Sequence, residues 1–104
     1  MKDQYLNPGP NKEEIDRLAG KYLLQFGTEW CGFCQSAEPL VEKALAKFNV
    51  VKRIKVEDGP GRKLGRSFRV KLWPTLIFLR DGVEVARIVR PSSVEQIEAE
   101  LQKL

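Results

Sequence analysis

The stretch Tyr22-Leu23-Leu24-Gln25-Phe26-Gly27-Thr28-Glu29-Trp30-Cys31-Gly32-Phe33-Cys34 runs from a compact apolar segment, Tyr22 to Phe26, into a pair of cysteines. A short apolar run of this kind fits a buried strand. Directly after it, Ala37, Leu40, Val41, Ala44, Leu45 and Phe48 fall on one 3.6-residue stripe, the mark of an amphipathic helix. Pro39 lies inside that stripe, so one helical hydrogen bond is missing there and a kink is expected. The cysteines therefore sit at a strand-to-helix junction, on the first turn of the helix.

Upstream, Pro8-Gly9-Pro10 breaks the chain after an indistinct opening around Tyr5-Leu6. Asn11-Lys12-Glu13-Glu14 reads as a capping box for a short helix with Ile15, Leu18 and Ala19 on one face, ended by Gly20. Downstream, Val50 to Val56 is rich in β-branched residues and reads as a strand despite its interleaved Lys and Arg. Glu57-Asp58-Gly59-Pro60-Gly61 is a turn leading to a short helical stretch near Arg62 to Phe68. Trp73-Pro74 punctuates the chain again, and Thr75 to Leu79 reads as a strand. Asp81-Gly82 signals a two-residue hairpin that joins it to Val83 to Val89. Pro91-Ser92-Ser93 opens a last helix, capped by Ser92 with Glu95 or by Ser93 with Gln96, with Val94, Ile97, Leu101 and Leu104 as its stripe. Helices between strands imply a parallel βαβ portion, and the hairpin adds antiparallel strands. The expectation is one α/β domain over residues 1–104, a central mixed sheet flanked by helices.

Apolar residues make up 42% of the 104 and charged residues 31%, enough for a core and a polar surface and too apolar for intrinsic disorder. The 18 Lys and Arg against 14 Asp and Glu leave a formal charge of +4, mildly basic and well short of a nucleic-acid tail. Lys52, Arg53, Lys55, Arg62, Lys63, Arg66, Arg69 and Lys71 are spread over a strand, a turn and a short helix, with Glu57 and Asp58 among them. They read as a solvated surface, not as a nucleic-acid footprint. No apolar run approaches the ~20 residues of a spanning helix, and the first residues hold no signal-peptide core. The expected setting is therefore cytoplasmic, with no membrane partner. Nothing argues for a dimer, so a monomer is expected. With 2 Cys and no His, a four-ligand zinc site within one chain is excluded. Ser-His-Asp and Cys-His catalysis are excluded as well, for want of an imidazole base. No cofactor is implied.

Cysteines three residues apart on a first helical turn lie on one face, with Cβ atoms ~5–6 Å apart. Disulfides need Cα atoms ~4.4–6.8 Å apart, so this bridge can form and open with little backbone movement. Closing so small a loop restricts the unfolded chain little, which makes it a poor structural staple. Placement also separates the two sulfurs. Cys31 belongs at the helix N-terminus, where free amides and the dipole favour a thiolate, and Cys34 one turn further in, more buried. Cys31 is then the nucleophile toward a partner disulfide, and Cys34 resolves the mixed disulfide. Half of a metal site, inert buried thiols, and a redox-silent disulfide in a binding module are the competing readings.

From Leu23 to the C-terminus the chain resembles the thioredoxin family. Leu23-Leu24-Gln25-Phe26 with Glu29-Trp30-Cys31-Gly32-Phe33-Cys34 is similar to that family's strand and active-site turn, Pro39 to its helix-kinking proline, Trp73-Pro74-Thr75 to its cis-proline loop, and Asp81-Gly82 to its hairpin turn. The resemblance implies a thioredoxin fold and a thiol–disulfide oxidoreductase acting on protein disulfides or dithiols, kept charged by a reductase or other thiol reductant. It also implies that Pro74 is cis and packs beside the cysteine pair. The Trp73 backbone would hydrogen-bond an extended substrate segment, and Trp30, Gly32, Phe33, Trp73 and Thr75 would line the contact surface.

Three departures from the family pattern carry information. Gln25 stands where thioredoxin carries a buried Asp beneath the cysteines, and an amide cannot take up a proton at neutral pH. Arg53 stands for the neighbouring Lys. With the anion gone and a cation kept, the thiolates are expected to be favoured, the disulfide to be more oxidising than in thioredoxin, and resolution by Cys34 to be slower. Phe33 replaces the proline between the cysteines and points the same way. Arg90-Pro91 replaces a glycine that lets partners approach, so the partner set of thioredoxin does not carry over. The reading from a different class is a redox-inactive thioredoxin-like protein-binding module; a reversible redox couple separates the two. Glutaredoxin-like use of glutathione fits the motif less well, with no glutathione contact visible.

Overall fold

A computed structural model describes residues 4–104. Its elements follow the expected order: α1 (Lys12–Asp16), β1 (Lys21–Gly27), α2 (Gly32–Leu45), β2 (Lys52–Glu57), α3 (Lys63–Ser67), β3 (Thr75–Arg80), β4 (Val83–Val89) and α4 (Val94–Leu101). The strands form a mixed sheet in the order β2-β1-β3-β4. β1 and β2 run parallel, joined through α2, while β1–β3 and β3–β4 are antiparallel.

Local chemistry accounts for the ends of these elements. The capping box at α1 has both arms: the Glu14 amide donates to Asn11 Oδ1 at 2.8 Å, and the Asn11 amide donates to Glu14 Oε1 at 3.0 Å. At α4 the N-cap is Ser93, whose hydroxyl accepts from the Gln96 amide, while the Gln96 side chain reaches back to the Ser92 amide instead. The hairpin turn places Asp81 at φ 52° and Gly82 at φ 79°, the paired positive values of a type I′ turn. A Cβ at residue 82 would come within 2.4 Å of the Asp16 carbonyl oxygen, so glycine also permits the turn to rest on α1. Two boundaries differ from expectation. α2 ends at Leu45, and Phe48 is held instead by a turn from its amide to the Leu45 carbonyl; β2 starts at Lys52, because the Val51 amide is spent on the Phe48 carbonyl.

Strand alternation divides the core between the two faces of the sheet. Leu23, Leu76, Phe78 and Ile88 pack on one face against Val41 and Ala44 of α2 and Ile97 and Leu101 of α4. Leu24, Phe26, Val56, Ile77 and Leu79 pack on the other, against Ile15, Leu64 and Phe68. The same alternation puts Gln25 of β1 and Arg53 and Lys55 of β2 on the α2 face, next to the helix that carries the cysteines. Before α1, Leu6 adds a short parallel bridge to Val56, with hydrogen bonds from its amide to the Lys55 carbonyl and from the Glu57 amide to its own carbonyl. That bridge brings Tyr5 to the same region. Among the described residues no helix is long and apolar enough to cross a membrane.

Candidate active site

Cys31 is the N-cap of α2, with extended backbone angles, and its sulfur accepts the Cys34 amide at 3.2 Å. The sulfur therefore occupies the position of a capping oxygen, at the positive end of a 14-residue helix. Both cysteines are free thiols. Cys31 is 8% exposed and Cys34 2%, so the deeper residue is the one a turn into the helix. Burial pushes the Cys34 thiol up to about 11, helped by its hydrogen bond to Cys31 and the charge there. Two donors oppose this, the Thr28 backbone amide and the Tyr5 hydroxyl. For Cys34 the expectation of a favoured thiolate is thus reversed, because loss of solvent outweighs the nearby donors. Gly27 makes the close packing possible: a Cβ there would lie 2.6 Å from Cys34 Sγ and 2.8 Å from the Tyr5 hydroxyl.

Behind Cys34 lies a polar group that the sequence reading only partly anticipates. Gln25 is fully buried on β1, and its Nε2 donates over long distances to the Tyr5 hydroxyl (3.4 Å) and to Glu38 Oε1 (3.5 Å). The absence of an anion beneath the cysteines is overturned, for Glu38 supplies one from α2. Its carboxylate pairs with Arg53 at 2.9 Å and Lys55 at 3.2 Å. Burial works against the Glu38 charge, but hydrogen bonds and charge from Arg53 and Lys55 overcome it and hold the carboxyl below its usual range. The register partner of Gln25 is Lys55, not Arg53, although Arg53 also donates to Gln25 Oε1 at 3.4 Å. The side chains of Arg53 and Lys55 are only 6% and 7% exposed, so these two are internal and do not belong to a solvated surface. Lys55 additionally sits over the Tyr5 ring, 4.3 Å from its centroid.

Two of these residues carried different signals in the sequence. Glu38 lies four positions after Cys34, on the same face of α2, and helical spacing alone could have pointed to it. Tyr5 had no local signal, since it arrives through a bridge made fifty residues away in sequence.

Around Cys31 the surface is apolar. Trp30 is 74% exposed, Phe33 57%, and Gly32 is open. The Trp30 ring meets Trp73 edge to face at 5.7 Å, and the Trp73 indole N–H donates to Asp58 at 2.9 Å. The Trp73–Pro74 bond is cis, and Pro74 is buried. Thr75 does not line this surface: it is buried, its hydroxyl donating to the Leu72 carbonyl at 2.6 Å and so tying the loop into β3. The Trp73 carbonyl already accepts Arg90 Nε at 2.8 Å, which leaves one lone pair for any further partner. Among the described residues no cluster of three metal-ligating side chains occurs.

A thioredoxin family model matches residues 5–103, nearly the whole chain. The chain belongs to the thioredoxin family. Members of this family are thiol–disulfide oxidoreductases, with a redox-active cysteine pair that acts on protein disulfides and is reduced by thioredoxin reductase or a similar reductant. Thioredoxin from Chlamydia pneumoniae is 37% identical over 71 residues, 68% of this chain and 70% of that protein. Thioredoxin H2-1 from Oryza sativa subsp. japonica is 34% identical over 67 residues, but that match spans only 49% of the rice protein. The structure of thioredoxin 2 from Pseudomonas aeruginosa PAO1 in its reduced form superposes with a TM-score of 0.89 and 54% identity, covering 99% of this chain and 95% of the other. The thioredoxin fold and the α/β mixed sheet are thereby established for this chain.

Proposed function

We propose that this protein is a single-domain, monomeric, cytoplasmic disulfide exchanger in which Cys31 attacks and Cys34 resolves. The Cys31 thiolate attacks one sulfur of a client disulfide, forming the mixed disulfide and expelling the client's other sulfur as a thiolate. Cys34 then loses its proton and attacks Cys31, closing the Cys31–Cys34 bond and releasing the second client thiolate. Two electrons pass to the client, which takes up two protons, and a reductase or other thiol reductant restores the dithiol. The client lies across Trp30, Gly32, Phe33 and Trp73, with Pro74 beneath.

The observation that carries this reading is the asymmetry of the two sulfurs. Cys31 caps a helix at the edge of an exposed aromatic surface; Cys34 is buried and kept protonated. That arrangement also orders the steps. Two of the causes that hold Cys34 protonated come from Cys31, and both vanish once Cys31 is tied up in the mixed disulfide. The Thr28 amide and Tyr5 hydroxyl then face only burial, and the resolving thiolate becomes more accessible at that stage.

The test is the equilibrium reduction potential of the Cys31–Cys34 pair in graded dithiol buffers, with Cys31→Ser as control. With Phe33 in place of the proline between the cysteines, the couple is expected to be less negative than the roughly −270 mV of thioredoxin. A value at or below that level refutes the reading of Phe33. No reversible couple at all leaves a redox-inactive binding module.

A further inference from the structure

Arg90 is exposed, carries the left-handed backbone angle φ 53° that few residues other than glycine adopt, and points across the rim of the active site. Three contacts hold it there. Its amide donates to the Pro74 carbonyl at 2.9 Å and its Nε to the Trp73 carbonyl at 2.8 Å. Its guanidinium lies 3.8 Å from the centroid of the Phe33 ring, the residue between the cysteines. Arg90 thus joins the Trp73–Pro74 loop to the first turn of α2.

Stacking on Phe33 and donation from Nε leave the terminal nitrogens of the guanidinium unused. No ion pair with Asp or Glu engages them among the described residues. Such a fork, flat and already oriented, accepts a carboxylate bidentately. Phe33 beneath it and Val89 before it in the chain are exposed and apolar, as are Trp30, whose ring meets Trp73, and Leu72, which precedes Trp73. The rim therefore offers one oriented cation in an apolar frame.

We propose that Arg90 is a specificity-determining residue that selects client disulfides with an Asp or Glu beside the cysteine that Cys31 attacks. The inference rests on Cys31 being the attacking sulfur. The partner it fits is an acidic segment with an apolar neighbour; Arg90 takes no part in the electron transfer itself.

The experiment is single-turnover reduction of three cyclic disulfide peptides identical except for Asp, Asn or Lys beside one cysteine, using the pre-reduced full chain and following Trp fluorescence. The Asp peptide is expected to react about fivefold faster than the Lys peptide at low ionic strength, with the ratio shrinking toward one at 0.5 M salt as screening shortens the Debye length to a few Å. Ratios are taken within each variant, so any general change in stability or reactivity cancels. Arg90→Ala brings the ratio close to one, Arg90→Lys keeps part of it, and Arg90→Glu reverses the order. Lys43→Glu, the same change in net charge on the last turn of α2, leaves the order as in the parent. A parental ratio near one, a ratio that survives Arg90→Glu, or a reversal by Lys43→Glu each overturns the proposal. The Asn peptide separates the two readings. If it is reduced by the parent and not by Cys31→Ser while the ratios stay flat, only the role of Arg90 fails; if no peptide is reduced, the assignment of Cys31 fails and this inference with it.

Discussion

Replacing Tyr5 by Phe removes one hydroxyl and leaves the ring in place, so the donor to the resolving sulfur is lost together with only the long bond from Gln25 Nε2. In the parent, burial pushes Cys34 up to about 11 even though the Tyr5 hydroxyl and the Thr28 amide both favour its thiolate. A hydrogen bond to a charged group contributes about 1.5–3 kcal/mol. At 1.36 kcal/mol per tenfold, losing it pushes the Cys34 thiol further up and makes its thiolate about 10- to 100-fold rarer near neutrality. A more basic thiolate is also a better nucleophile, with a Brønsted slope of about 0.4–0.5, so roughly half of that loss is recovered. Resolution is expected to slow by about three- to tenfold.

Mixing the reduced protein with excess Ellman's reagent in a stopped-flow instrument separates the two events. The first thionitrobenzoate is released as Cys31 attacks and the second as Cys34 displaces it. Tyr5→Phe should slow the second phase by the stated factor and leave the first within about twofold. In the parent, the second phase should accelerate close to tenfold per pH unit between pH 6 and 8, because the resolving thiol is still mostly protonated there. An unchanged second phase, or equal slowing of both phases, would refute the reasoning, since either result says that the hydroxyl does not act on Cys34.

Glu38→Gln removes the carboxylate that pairs with both internal cations, Arg53 and Lys55, and should cost about 3 kcal/mol, a fall in Tm of roughly 10–20 °C by calorimetry. Because Glu38 titrates below its ordinary range in the folded chain, its stabilisation is complete above the unfolded value of about 4.3 and is lost as pH falls through the folded value; melts from pH 2 to 7 should show this acid-side loss in the parent and not in the variant. Gly27→Ala drives a methyl into Cys34 Sγ and the Tyr5 hydroxyl and should destabilise the fold by about 1–3 kcal/mol, measured by urea unfolding; an unchanged midpoint would mean that this packing is loose. Gln25→Asp sets a second carboxyl against Glu38, and the repulsion between the two raises the new group's affinity for a proton, so its ionised form is a base that can take up the Cys34 proton. The second phase should then speed up and acquire a new titration step, and an unaltered rate and pH profile would sink the account of Gln25.

Most of the fold was legible because its signals are local. The stripe of α2, the capping box at Asn11, and Asp81-Gly82 each state their conformation within a few residues, and the cysteine spacing places the chemistry at a helix start. What was not legible depends on which face of the sheet a residue meets. Arg53 and Lys55 alternate with apolar residues, which suggests cations turned to water; in the fold that face lies beneath α2, where both pair with Glu38. Glu38 in turn reads as one more exposed helical acid until β2 is laid beside it. Tyr5 could not be found at all, since its position depends on the Leu6–Val56 bridge. Thr75 was misplaced for a related reason: its hydroxyl turns inward to the Leu72 carbonyl, which the Pro-Thr pair alone does not state.

Moving the acid from β1 to α2 changes what it can do. A carboxylate paired with both Arg53 and Lys55 is held ionised and is a weak base, and the Gln25 amide beside it cannot take a proton either. Among the described residues, the Thr28 amide and the Tyr5 hydroxyl act on Cys34 as donors, and neither is suited to accept its proton at neutral pH. In the proposed exchange, resolution therefore depends on donors that stabilise the Cys34 thiolate, on the protonation equilibrium with solvent, and on how readily the client thiolate leaves. Only the last varies with the client, and it carries no information on the client's flanking residues; on that reading those are met earlier, when Cys31 attacks, by Trp30, Phe33, Trp73 and the guanidinium of Arg90. The two proposals thus divide the work: the buried face behind Cys34 governs how readily the resolving thiolate forms, and the exposed rim with its oriented cation governs which disulfides Cys31 attacks.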